Sequence, residues 1–183
     1  AWEMVAGGSL GGMQALQWSI SYPDLIKRAA IIAASSKISS QNIALNEVAR
    51  EIIRKDENFA DGDYHLQNIK PKKGLKAARM LGHITYLSEA NMRKRFGRKL
   101  QSPETRIDEK VSYEVENYLQ YKGEQFAETF DANSYILMTK AMDSFDPAKD
   151  FEQDLVTCFK QIKAKLFIAC LLYTSDAADD WSS

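Results

Sequence analysis

Hydrophobic positions along the chain fall into two regimes. Near the start, the short apolar run 3–6 predicts a strand. Residues 7–12 predict a turn, too rich in glycine for a helix interior. Met13, Leu16, Trp18 and Ile20 then recur at a mostly helical spacing, and Pro23 stops that helix. The run 28–35 is continuously apolar and of strand length, as expected of a parallel strand buried on both faces. Strand, turn, helix and strand make one βαβ unit, for which a right-handed crossover is expected.

Beyond residue 36 the period changes to that of amphipathic helices. Segment 41–55 predicts a helix with Ile43, Leu45, Val48, Ile52 and Ile53 on its apolar stripe. Helices are also predicted over 73–86, 89–96, 114–130 (interrupted at Gly123) and 134–144, with a polar loop over 102–110. No strand is expected between 36 and 151. A helix over 151–163 then leads to a buried strand, 165–169. The expected architecture is α/β, a parallel sheet fragment carrying a helical insertion. Its segments are a core over 1–36, a helical lid over 37–150, and a return to the core over 151–169.

Composition changes this picture little. The chain has 183 residues, 45% hydrophobic and 27% charged, with a net charge of −1. No global field points to nucleic acid or an anionic membrane. Lys70, Lys72 and Lys73, and the run from Arg93 to Arg98, read as solvated faces. No apolar run approaches the roughly 18 residues of a membrane span, and no signal-peptide pattern opens the chain. Cys158 and Cys170 form no disulfide framework, which fits a reducing, cytoplasmic setting.

The candidate chemistry sits in "VAGGSLGGMQALQW", residues 5–18. Gly7-Gly8-Ser9-Leu10-Gly11 fits G-x-S-x-G, a serine on a strained strand-to-helix turn. The helix N-terminus below Ser9 favours negative charge, and the Leu10 N–H can donate to an oxyanion. The competing reading is a purely structural turn. A serine hydroxyl needs a base to take its proton. The two histidines, His65 and His83, both fall in the helical insertion, before the next sheet strand. Each is expected to be a lid or pocket residue, so a general base is not expected within this chain.

The segments "GGSLGGMQALQW", "SSQNIALNEVAR", "GLKAARMLGHITYLS" and "YLQYKGEQFAETFDANSYILMTKAMDSFDP" resemble the homoserine O-acyltransferases of the α/β-hydrolase superfamily. The resemblance spans residues 7–147. It implies a ping-pong reaction in methionine biosynthesis. Ser9 takes an acetyl or succinyl group from acetyl-CoA or succinyl-CoA, and the L-homoserine hydroxyl then attacks the acyl-enzyme. Leu10 is implied as half of the oxyanion hole. Arg79 and Tyr86 match positions that hold the homoserine carboxylate and amino acid; seven apart on one helix, they share a face. Asn46 and Arg50 also match, with structural roles expected. The resemblance further implies a homodimer paired through lid helices, no bound cofactor and no metal.

"CLLYTSDAAD", 170–179, resembles the in-frame translation of a transposase sequencing adapter. Residues 170–183 are therefore expected to be a non-native tail, and Asp176 within it a coincidental match to the family's aspartate. On that reading the chain is a fragment without its own catalytic Asp and His, and is itself inactive. Two other readings stay open. One is a serine hydrolase that hands the acyl group to water, which needs no Arg79/Tyr86 pair. The other is a lid module serving dimerisation.

Overall fold

The structure is a computed structural model and describes residues 1–103, 106 and 112–170. In chain order its elements are β1 (Val5–Gly8), α1 (Leu10–Ser21), β2 (Arg28–Ile32), α2 (Ser40–Arg54), α3 (Lys72–Tyr86), α4 (Glu89–Arg95), α5 (Glu114–Thr129), α6 (Ala132–Ser144), α7 (Leu155–Phe159) and β3 (Lys165–Ala169). The described residues form two compact units, one of 1–43 with 138–170 and one of 44–137. The helical unit is narrower on both sides than the expected 37–150.

The first unit is built on a three-stranded parallel sheet in the order β1-β2-β3. Val5 pairs with Ala29 and Gly8 with Ile32; Arg28 pairs with Lys165 and Ile32 with Ala169. Ala29, Ala30 and Ile31 of the central strand are buried, as a parallel strand between two neighbours should be. Helix α1 packs Ala15, Leu16 and Ile20 over Ile31, with Ala148 and Cys158 completing the core. The Cys158 Sγ donates to the Pro147 carbonyl at 3.1 Å, and burial pushes its thiol pKa up. Among the described residues no helix is long and apolar enough to cross a membrane.

Four expectations for this unit are corrected. The first strand lies at Val5–Gly8, not 3–6, because Gly7 and Gly8 continue the pairing with β2. The glycine-rich turn over 7–12 is compressed to Ser9, and Gly11 and Gly12 belong to α1. The helix over 151–163 is reduced to α7, since Glu152 and Gln153 adopt φ 52° and 65°, which no right-handed helix allows. Strand β3 has the expected bounds but is not buried: Leu166, Phe167 and Ile168 are exposed. Within the described residues it pairs only with β2 and forms an edge of the sheet.

The second unit is a helical cluster around Ile53, Leu75, Ala78, Ala127, Phe59 and Tyr64. Ile53 and Leu75 are 0% exposed. Burial of each such side chain stabilises by about 1.5–3 kcal/mol. Among its described residues the only bridge pairing is the isolated Leu100–Tyr113 contact. Helix α3 gains a cap from the buried Asp56, whose Oδ2 accepts from the Gly74 N–H at 2.6 Å. Helix α5 is opened by Glu116, which accepts from the Ser112 and Tyr113 N–H groups at 2.7 Å. The expected interruption at Gly123 is absent: α5 runs unbroken from Glu114 to Thr129. Gly123 instead lets α5 approach α3, since a Cβ there would fall 2.8 Å from the Lys76 carbonyl oxygen.

Candidate functional site

Ser9 occupies the one residue between β1 and α1. Its backbone sits at φ 54°, ψ −123°, a conformation costing an L residue about 1–3 kcal/mol. Two main-chain bonds hold it there. The Ser9 N–H donates to the Ile32 carbonyl at 2.9 Å, and the Ser9 carbonyl accepts from the Met13 N–H at 3.1 Å. The side chain is exposed and makes no capping bond, so the hydroxyl is not consumed by the helix it precedes. That is the opposite of an ordinary N-cap serine, which turns its oxygen onto the first turn.

Leu10 opens α1, where backbone N–H groups have no acceptor inside the helix. The first turn of α1 carries no acidic residue, so the positive end of the helix is uncompensated beside Ser9. The arrangement suits an anion forming on an atom bonded to Ser9 Oγ. Gly7 is needed because a Cβ on it would lie 2.9 Å from the Gly11 Cα, and closer still to the Gly11 carbonyl carbon and oxygen.

The second group of residues lies in the helical unit. Arg79 and Tyr86 share one face of α3, with the guanidinium carbon 5.8 Å from the Tyr86 ring centre. The same guanidinium stacks on Phe126 of α5 at 4.9 Å. Tyr86 is 54% exposed. Beside them, burial pushes the Tyr135 phenol up to about 12; Tyr86 adds to this, while Arg79 and Arg50 oppose it. Arg50 is buried and pairs with Glu47, its Nε at 2.7 Å from Oε2. His65 is exposed and lines a cavity of about 480 Å³ with Tyr64, Lys70 and Asp131. His83 is partly buried, with Nδ1 3.1 Å from the Tyr118 hydroxyl. Asp176 lies outside the described residues. Among the described residues no cluster of three or more His, Cys, Asp or Glu could hold a metal.

Tyr118 and Phe126 were not singled out from sequence. Their spacing, 118–122–126 along α5, places both with Lys122 on one helix face, a signal visible in the sequence but silent about the partner helix.

The sequence profile of the alpha/beta hydrolase fold matches residues 4–162. The chain is 52% identical over 168 residues to a homoserine O-succinyltransferase of Neisseria meningitidis serogroup B, covering 92% of this chain and 44% of the relative. A homoserine O-acetyltransferase from Staphylococcus aureus superposes with a TM-score of 0.65 at 31% identity, over 95% of this chain and 46% of that one. One from Bacillus anthracis superposes at 0.80, at 24% identity, over 93% and 45%, a likeness of fold. The chain thus spans less than half the length of the relatives it matches. A serine exposed on a strained strand-to-helix turn, a parallel βαβ sheet beneath it and this profile agree: the chain belongs to the alpha/beta hydrolase fold family.

Proposed function

We propose that the protein carrying this chain is a homoserine O-acyltransferase working through Ser9. The observation that carries the reading is the Ser9 turn, strained, exposed and uncapped, in a chain 52% identical to a homoserine O-succinyltransferase. Ser9 Oγ attacks the thioester carbonyl of acyl-CoA as a base takes its proton. The Leu10 N–H donates to the resulting oxyanion. The C–S bond breaks, CoA leaves as the thiol with that proton, and the acyl group stays on Oγ. The homoserine hydroxyl then attacks the acyl-serine ester, loses its proton to the base, and O-acylhomoserine departs as Oγ is reprotonated. Arg79 forks onto the homoserine carboxylate and Tyr86 flanks it.

The described histidines both lie in the helical unit, apart from the unit that bears Ser9. The base and its orienting acid are accordingly assigned to residues outside this chain, and the 183-residue chain alone is expected to show no turnover. Succinyl is the proposed acyl group, since the relatives named for it are 50–54% identical while the matched acetyltransferase is 31% identical. A cytoplasmic homodimer paired through the helical unit completes the proposal.

The test uses a protein of the relatives' full length carrying this chain, given succinyl-CoA or acetyl-CoA with L-homoserine. An acyl adduct on Ser9 by intact mass, O-succinylhomoserine as product, and loss of about 10³-fold or more in kcat for Ser9→Ala are expected. Transfer to water alone under saturating homoserine would overturn the reading in favour of a hydrolase.

A further inference from the structure

His83 lies one turn after Arg79 and one turn before Tyr86 on the same face of α3. Its Nδ1 is 3.1 Å from the Tyr118 hydroxyl on α5. Its ring meets Tyr118 edge-on, centroids 5.5 Å apart at 79°, and Tyr86 at 6.3 Å and 66°. Its Nε2 is buried and has no hydrogen-bond partner among the described residues. From the other side, the Arg95 guanidinium of α4 covers the Tyr118 ring at 4.6 Å. The imidazole is thus wedged between two tyrosines, one fixed by a hydrogen bond and an arginine, the other largely exposed.

A phenol bonded to an imidazole nitrogen donates to it, so Nδ1 accepts and Nε2 carries the hydrogen in a neutral ring. The surroundings favour that form. Burial disfavours the imidazolium first, and Arg79, Lys122 and Arg95 disfavour it further. A neutral ring neither repels a bound ammonium group nor competes with Arg79 for a carboxylate.

We propose that His83 is a positioning residue which, anchored to Tyr118, holds the Tyr86 ring beside Arg79 in the geometry that receives an amino-acid substrate. This rests on the reading that Arg79 and Tyr86 bind homoserine. His83 touches no substrate and takes no proton in the reaction. Its effect falls on substrate capture: with the wedge loosened, an exposed Tyr86 samples other rotamers, and each binding event must first restore the productive one.

The experiment measures KM for homoserine and kcat in the full-length protein for His83→Phe, His83→Asn, Tyr118→Phe and the His83→Phe/Tyr118→Phe pair. His83→Phe is expected to raise KM about tenfold, with kcat within about threefold of the wild type. His83→Asn, which keeps an acceptor near the Nδ1 position, recovers most of the loss. Tyr118→Phe reproduces it, and the double variant is no worse than either single one, the mark of a shared interaction. A folded His83→Phe with unchanged KM, or additive losses in the pair, overturns the proposal while leaving the acyltransferase reading intact. Failure of the wild type to acylate homoserine overturns that reading instead. Imidazole ¹⁵N shifts then decide the anchoring without substrate. They should report a neutral Nε2–H tautomer that Tyr118→Phe abolishes; a tautomer indifferent to Tyr118→Phe overturns the proposal.

Discussion

Gly7 and Gly11 face each other across the Ser9 turn so closely that a Cβ on Gly7 would stand 2.9 Å from the Gly11 Cα. The reverse does not hold: a Cβ on Gly11 meets nothing within 4 Å. The two glycines of G-x-S-x-G are therefore unequal. Gly7→Ala should destabilise by roughly 1–3 kcal/mol or more, because backbone on both sides must shift. Gly11→Ala should be neutral or gain up to about 1 kcal/mol, as alanine in a helix usually does. Urea midpoints of the two variants check this. Equal losses would mean that the turn tolerates no side chain on either flank.

Ser9 holds positive φ with no side-chain bond to compensate it. Glycine adopts that conformation without a Cβ penalty. Ser9→Gly should accordingly raise stability by ~1 kcal/mol, the relieved strain less the extra entropy of the unfolded glycine chain. The same variant should form no acyl adduct. Stability that rises while the adduct disappears is the signature of strain kept for chemistry. A loss of stability would show that the Ser9 hydroxyl holds the turn together.

The sequence made the helices of the second unit legible to within a residue or two, because their apolar stripes have no competing period. Strand β3 was legible for the same reason, a clean apolar run, although its exposure was not. Gly7 and Gly8 carry no strand signal, so the true span of β1 comes only from its pairing with Ile31 and Ile32. The break after residue 151 depends on two left-handed residues, Glu152 and Gln153, that are neither glycine nor asparagine. In the candidate site, Ser9 is announced by its motif, and Arg79 with Tyr86 by a spacing of seven. The contacts of Tyr118 and Phe126 are tertiary, set by how α5 crosses α3, and no single-helix period encodes a crossing.

That crossing depends on Gly123. A Cβ there would meet the Lys76 carbonyl oxygen and Cγ at 2.8 Å, and the Met80 Cγ at 3.1 Å. Lys76 and Met80 can move their side chains, but the carbonyl belongs to helix α3 and cannot. Gly123→Ala should cost about 1–3 kcal/mol in spite of alanine's better helix propensity. It should also weaken homoserine capture, because the same crossing places Tyr118 against His83 and Phe126 under Arg79. Thermal melts and KM for homoserine read the two effects; an unchanged KM would show that α5 does not shape the pocket.

His83 also gives the helical unit a pH dependence whose sign is fixed. Its imidazole titrates below the ordinary value of about 6.5, first because it is buried and then because Arg79 on α3, Lys122 on α5 and Arg95 on α4 are near. Below about pH 6.5 the unfolded ring takes up a proton that the folded ring still refuses. The unfolded state then binds more protons, so stability falls as pH drops through that window and levels off below the folded value. Glu47, Glu128 and Asp146 have their carboxyl values lowered by hydrogen bonds from Arg50, Lys72 and Lys37, so they lose their contribution only at more acid pH, below about 4.5. Between about pH 6.5 and 5.5 the difference between the wild type and His83→Asn therefore isolates this one ring. Urea midpoints of the wild type should decline across that window relative to those of His83→Asn. Parallel curves would mean that the folded imidazole accepts its proton as readily as the unfolded one.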